Sequence, residues 1–176
     1  MTVYQGRPAD CRGETEEQVY DFLEEAGVSF SRMDHAPVLT MEDCLAIDEA
    51  AGFEICKNLF LTNRQETEFY LLLMPGGKPF RTSEFSRAVG SSRLSFASPE
   101  RMREFLSLAP GAVSVMGLVF DRERRVHLYL DGDLLKEDRF GCHPAVNTST
   151  VVFSTEDLLQ KILPALGREL RTVELG

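Results

Sequence analysis

Cys56-Lys57-Asn58-Leu59-Phe60-Leu61 places a cation and an amide inside an otherwise apolar stretch. At strand periodicity Lys57 shares a face with Ile55, Leu59 and Leu61, and Asn58 shares the other with Cys56 and Phe60. Whichever face is buried, one polar group points inward. An inward ammonium needs an internal carboxylate or an anionic group of a ligand, because an unpaired buried charge is costly. The alternative is a strand-end lysine whose stem packs while its head reaches water.

A second irregular stretch, Phe140-Gly141-Cys142-His143-Pro144-Ala145-Val146-Asn147, crowds glycine, histidine, proline and asparagine between two expected strands. Glycine lets backbone approach a ligand, and an imidazole beside exposed amides can orient a hydroxyl, a water or a developing oxyanion. The competing reading is a turn whose histidine bonds only to backbone. Cys142 next to His143 invites a thiol nucleophile, but neighbours in an extended chain point to opposite sides, which hinders proton transfer between them.

Other chemistries lack support. His35 and His127 complete a set of three histidines without zinc-site spacing, and no metal is expected. Gly76-Gly77-Lys78 lacks the phosphate-loop spacing, and there is no serine nucleophile elbow. Cys11, Cys44, Cys56 and Cys142 form no paired motif and read as small buried hydrophobes or inert surface thiols.

These groups must be held by ordinary globular structure. The chain has 176 residues, is 43% hydrophobic and 27% charged, and so suits a single soluble domain. No apolar run approaches the roughly 20 residues of a membrane span. The N-terminus lacks a secretory pattern, which predicts a cytosolic protein. A formal charge of −9 argues against broad affinity for polyanions, so contact with nucleic acid would have to be local.

Helical periodicity predicts helices at Thr15–Ala26, after Thr40 up to Gly52, at Ser83–Val89, after the Ser98-Pro99 cap, and after the Ser154 cap, the last bent or ended by Pro164. Strands are expected near 28–33, 55–62, 68–74, 94–96, 112–120, 126–130 and 150–153. Residues 55–74 read as a hairpin, and 121–125 and 131–133 as turns. His127 reads as structural. The whole is an α+β domain with a mixed, mostly antiparallel central sheet flanked by helices. It covers 1–176, with a polar lead at 1–13 and a C-terminal tail at 167–176.

Five segments in order resemble the YbaK and prolyl-tRNA-synthetase-associated editing-domain family, in particular its freestanding ProX-type prolyl-tRNA deacylases. They are Asp34-His35-Ala36-Pro37-Val38-Leu39-Thr40, Lys57-Asn58-Leu59-Phe60-Leu61, Ser92-Arg93-Leu94-Ser95-Phe96-Ala97-Ser98, Pro110-Gly111-Ala112-Val113-Ser114 and His143-Pro144-Ala145-Val146-Asn147-Thr148. The match runs from about Thr15 to Leu166. It implies a trans-editing hydrolase, without metal or other cofactor, that cleaves the ester joining a wrong amino acid to the terminal adenosine of tRNA. The usual substrate is alanine on tRNA for proline.

By the same resemblance Lys57 is the family's lysine, holding the terminal phosphate and positioning the ester. His143 is its loop histidine, and Gly141 lets that loop come close. Asn58, Gly111, Ser114, Val115 and Met116 would line or shape the pocket, with Asn147 and His35 contributing from their own segments. The expected mechanism is attack by water on the ester carbonyl, accelerated by positioning and oxyanion stabilisation, with no covalent enzyme intermediate.

One departure bears on substrate choice. Where the family's Gly-x-x-x-Pro loop ends in proline and phenylalanine, this chain has Val115 and Met116. That substitution frees a dihedral, restores an amide donor and offers a more flexible wall. Cysteine or serine is therefore an alternative amino acid, and a non-catalytic module binding tRNA ends or an amino acid is the alternative from another class. Expected partners are the aminoacylated acceptor end, met by a local patch such as Arg81, Arg87 and Arg93, and prolyl-tRNA synthetase as a candidate for delivering it.

Overall fold

Val19, Tyr20 and Leu23 lie on one face of α1 (Glu14–Glu25) and are wholly buried, while Gly27, at φ +75°, turns the chain out of it. The computed structural model describes all residues, Met1–Gly176. Helix α2 (Met41–Ala51) begins as its sequence predicts. The Thr40 hydroxyl accepts from the Asp43 amide, the Asp43 carboxylate accepts from the Thr40 amide, and Gly52 closes the helix at φ +82°. Helices α3 (Thr82–Ala88) and α4 (Pro99–Leu106) also lie where periodicity puts them, α4 with Ser98 as cap and Pro99 in its first turn.

The fold class is α+β, with the strands divided between two sheets. Strands β1 (Val3–Gln5), β2 (Ser31–Asp34), β7 (Arg139–Cys142) and β8 (Ser149–Ser154) form an antiparallel sheet in the order β1-β2-β8-β7. Strands β3 (Lys57–Thr62), β4 (Phe69–Met74), β5 (Ser95–Phe96), β6 (Val126–Asp131) and β9 (Thr172–Val173) form a mixed sheet, ordered β5-β3-β4-β6-β9. The expected hairpin is present, with Lys57 opposite Met74 and Thr62 opposite Phe69. The β4–β6 and β6–β9 pairs are parallel.

The larger core gathers Phe60, Leu71 and Leu128 from the mixed sheet with Phe140, Val151 and Phe153 from the antiparallel one, under α1 and α4. A smaller core, including Leu61, Leu72, Met74, Phe85 and Leu94, seats α3 on the far face of the mixed sheet. No helix is long and apolar enough to cross a membrane.

Four local expectations are corrected. Residues 112–120 form no strand: the run Val115–Val119 is a 3-10 turn capped by Ser114, whose hydroxyl accepts from the Met116 amide. Its residues Val115 to Leu118 are all buried, so apolarity there reflects burial on every side, which a strand and a tight core turn share. Residues 140–142, expected to be irregular, lie in β7, where Phe140 pairs with Phe153 across from β8. The turn at 131–133 extends into a 3-10 turn, Gly132–Lys136, because the Asp131 carboxylate accepts from the Asp133 amide. The last helix starts at Ser154 as expected, then widens into a π segment (Leu158–Ile162) before Leu163–Ala165. The wider turn accommodates the proline at 164, which has no amide to donate.

Candidate active site

Strand β7 delivers Gly141 and Cys142 to the edge of the larger core, and the chain then loops through 143–148 before β8 returns it. Three anchors fix that loop. The His143 Nδ1–H donates to the Ser149 carbonyl at 2.8 Å, the Ser114 hydroxyl donates to the His143 carbonyl at 2.7 Å, and the His35 amide donates to the Thr148 carbonyl at 2.9 Å. Ala145 within the loop adopts φ +68°, a conformation strained for a side-chain-bearing residue and held by these anchors.

A carbonyl can only accept, so the Ser149 contact places the His143 proton on Nδ1 and leaves Nε2 with its lone pair. His35 sits 6.0 Å away, ring centre to ring centre. Its Nδ1 faces the Ala36 carbonyl at 2.8 Å and its Nε2 the Thr150 hydroxyl at 2.9 Å, so both nitrogens are engaged. His143 is the one of the pair whose outer nitrogen can accept a proton from a water or a ribose hydroxyl. Asp34 supports this corner: although burial pushes its carboxyl up, the Ser149 hydroxyl at 2.5 Å and the guanidiniums of Arg32 and Arg12 hold it below the ordinary range.

Burial lowers the His143 pKa, with His35 acting in the same direction and the Ser149 carbonyl opposing. The neutral imidazole is therefore the resting form at pH 7. Because the unfolded chain binds this proton at its ordinary value of 6.5 and the folded chain only below it, His143 costs the fold stability as pH falls through that window and nothing above it. Urea midpoints followed from about pH 8 to about pH 5 are expected to fall more steeply on the acid side in the wild type than in His143→Gln. Equal slopes would show that His143 is not buried as described.

Strand β3 supplies the opposite wall. The Asn58 carbonyl oxygen accepts from the Val115 amide at 3.0 Å, and its amide group faces the Cys56 sulfur at 3.8 Å. This answers the loop's departure: the donor restored where proline is missing is taken up by Asn58. The Met116 and Gly117 amides are likewise held, by the Ser114 hydroxyl and carbonyl. The 111–117 loop therefore contributes shape, and none of those three amides remains for an oxyanion. Val115 and Met116 are wholly buried in the larger core.

Gly141 requires its small size. A Cβ there would lie 2.5 Å from the Ile55 Cδ1, and the Gly141 carbonyl faces the Cys56 sulfur at 3.7 Å. Gly111, at φ +86°, turns the preceding loop so that Asn147 approaches it, with 3.3 Å from a Gly111 Cβ position to the Asn147 amide nitrogen. His35, Asn58, Gly111, Ser114, Gly141, His143 and Asn147 thus belong to one neighbourhood.

Lys57 is placed differently. Strand alternation turns it to the α3 side of the mixed sheet, opposite Asn58, and its ammonium donates to the Lys78 carbonyl. No carboxylate lies within ion-pair distance, and burial lowers its pKa against the pull of Glu54. Its charge is held in place yet unneutralised. Sequence reasoning missed Ser149 and Thr150, which orient the two imidazoles; nothing in a β-branched strand marks them.

The remaining candidates are structural. Burial pushes the Cys142 thiol up to about 12 and the Cys56 thiol higher still, so neither supplies a thiolate. Lys78 is paired with Asp131 at 2.7 Å and Asp133 at 2.8 Å, and His127 lies 2.6 Å from the Glu68 carboxylate. No cluster of three or more His, Cys, Asp or Glu side chains is arranged to hold a metal ion.

Comparison with known proteins places this arrangement among relatives. Residues 35–161 match the model of the aminoacyl-tRNA editing domain. The chain is 34% identical over 153 residues to the prolyl-tRNA editing protein ProX of Acetoanaerobium sticklandii, covering 87% of this chain and 93% of that one. It is 30% identical over 155 residues to the prolyl-tRNA synthetase associated domain-containing protein 1 of Danio rerio, covering 87% and 82%. A crystal structure of a candidate trans-editing enzyme for prolyl tRNA synthetase superposes with a TM-score of 0.69 at 22% identity, over 94% of this chain and all of that one, and shares its fold.

Proposed function

Since the chain belongs to the aminoacyl-tRNA editing domain family, we propose that it is a trans-editing deacylase that hydrolyses mischarged tRNA for proline, with alanine as the amino acid removed. It would work in the cytoplasm beside prolyl-tRNA synthetase. The observation that carries this reading is His143 itself, neutral, locked by Ser149 and presenting a free Nε2. The surrounding loop is pinned by Ser114 and faces a wall set by Asn58.

Lys57 and Asn58 are neighbours, so their Cα atoms are about 3.8 Å apart although their side chains leave by opposite faces. A terminal nucleotide crossing this end of β3 would set its phosphate on the Lys57 ammonium and its aminoacyl ester on the Asn58 side, towards His143. Water held by the His143 Nε2 attacks the ester carbonyl, the tetrahedral centre collapses, and the ribose oxygen leaves with the proton. Excluding proline by size, a methylene or two, decides only about 1–3 kcal/mol, so tRNA contacts supply the rest of the selectivity.

Single-turnover deacylation of Ala-, Ser-, Cys- and Pro-tRNA for proline tests this, with uncatalysed hydrolysis subtracted. Ala-tRNA is expected to be cleaved well above the others and Pro-tRNA spared. Preference for Ser- or Cys-tRNA would reassign the pocket, in keeping with the Val115-Met116 departure. No turnover of any of the four, with tRNA still bound, would leave a binding module.

A further inference from the structure

Helix α3 and the segment after it enclose an open concavity of about 630 Å³, lined by Thr82, Ser83, Ser86, Arg87, Ser91 and Arg93. No apolar side chain lines it, which is unusual for a site that takes an organic small molecule. Its walls are built rigidly. The Ser86 hydroxyl donates to the Thr82 carbonyl at 2.7 Å and accepts from the Leu94 amide at 3.1 Å, while the Ser91 amide donates to the Ser86 carbonyl at 2.9 Å. Gly90, at φ +72°, folds the chain back so that Ser91 and Arg93 face the helix.

Arg87 and Arg93 are exposed and engage no carboxylate, in a protein whose formal charge is −9. The nearby acid, Glu84, is occupied by the Gly176 amide at 2.5 Å and by Arg81 at 3.6 Å. Two free guanidiniums with the hydroxyls of Thr82, Ser83 and Ser91 make a donor set suited to phosphate oxygens, the Ser86 hydroxyl being committed to the Thr82 carbonyl. On the same face of the mixed sheet, Phe96 is 60% exposed and its ring centre lies 5.8 Å from that of Phe80. Lys57 points to this face as well. A basic, hydroxyl-lined hollow beside an exposed aromatic matches the combination by which proteins hold nucleic-acid backbone and stack an unpaired base.

We propose that this concavity is the docking site for the phosphodiester backbone of the tRNA acceptor arm, with Arg87 and Arg93 each contacting a phosphate and Phe96 stacking an unpaired base. The proposal rests on the tRNA reading above and extends it from the aminoacyl end to the arm that carries it. The ligand is chain phosphate. A free phosphate or mononucleotide offers the same chemistry without the second contact.

Equilibrium binding of uncharged tRNA for proline, measured by fluorescence anisotropy across a KCl series, needs no catalysis and tests the site directly. In Arg87→Gln and in Arg93→Gln the slope of log K against log[KCl] is expected to become shallower by about 1, and by about 2 in the double variant. Phe96→Ala is expected to weaken binding with the slope unchanged. The double variant is also expected to lose kcat/KM on aminoacylated tRNA while keeping wild-type turnover of an aminoacyl ester of adenosine. Unchanged slopes and affinity would overturn the proposal, as would arginine-dependent binding of inorganic phosphate with no change towards tRNA. Deacylation that fails for every substrate while the slopes shift would sink the editing reading and leave the phosphate site standing.

Discussion

Lys57→Ala is expected to slow single-turnover deacylation of Ala-tRNA for proline by about a hundredfold to a thousandfold, the range seen when one fixed electrostatic contact to the reacting group is lost. The expectation follows from the ammonium's setting. It is half-buried, anchored by the Lys78 carbonyl and unpaired with any carboxylate, so its charge is available to an incoming anion. Because the side chain makes a single hydrogen bond at a partly open position, the variant's urea midpoint is expected to stay close to wild type. Lys57→Arg keeps a cation and is expected to recover part of the rate if the group holds a phosphate. Full activity in Lys57→Ala would remove this residue from the site and leave His143 with Asn58 as its centre.

The largest loss of stability is expected at Asp121→Ala, about 3–5 kcal/mol in urea unfolding, since it strands a buried charge. The Asp121 carboxylate is buried and accepts from Arg168 at 2.6 Å, from the Val126 amide at 2.9 Å and from the Arg125 amide at 3.1 Å. Arg168 has a side chain only 9% exposed, and its remaining contact is with the Val126 carbonyl. Removing the carboxylate leaves that guanidinium and two amides unanswered at the point where the C-terminal segment joins β6. Asp121→Asn keeps one of the two acceptor oxygens, enough for Val126 and Arg168 while its NH2 displaces the Arg125 contact, so it is expected to cost less than Asp121→Ala. A cost below about 1 kcal/mol for Asp121→Ala would mean that solvent reaches this pair. Deacylation below the unfolding transition is expected to persist, as none of the pair's hydrogen bonds reaches the His143 loop.

Much of the helical framework was legible because its signals are local. Thr40, Ser98 with Pro99, and Gly27 and Gly52 each act within one turn, and the helices begin and end beside them. The β3–β4 hairpin was legible for the same reason. The 112–120 stretch was not, because its hydrophobicity records burial from all sides and carries no period. Strands β1 and β9 are two or three residues long and mostly exposed, so only their partners identify them.

For the site, residue types and their order marked Lys57, Asn58, Gly141 and His143 and pointed to the editing family. The chemistry available, a neutral imidazole and a free cation without a metal cluster or a thiolate, follows from those identities together with their surroundings. What tertiary structure decided is which of them meet. Asn58 finds the Val115 amide 57 positions away, and Ser114 finds the His143 carbonyl 29 positions away. Alternation along one strand sends Lys57 to the other face of the sheet from its neighbour. Sequence fixes side-chain chemistry and short-range periodicity, since both are properties of a residue and the few beside it. Proximity across sheets depends on how two cores close around the chain, and no local pattern encodes that distance.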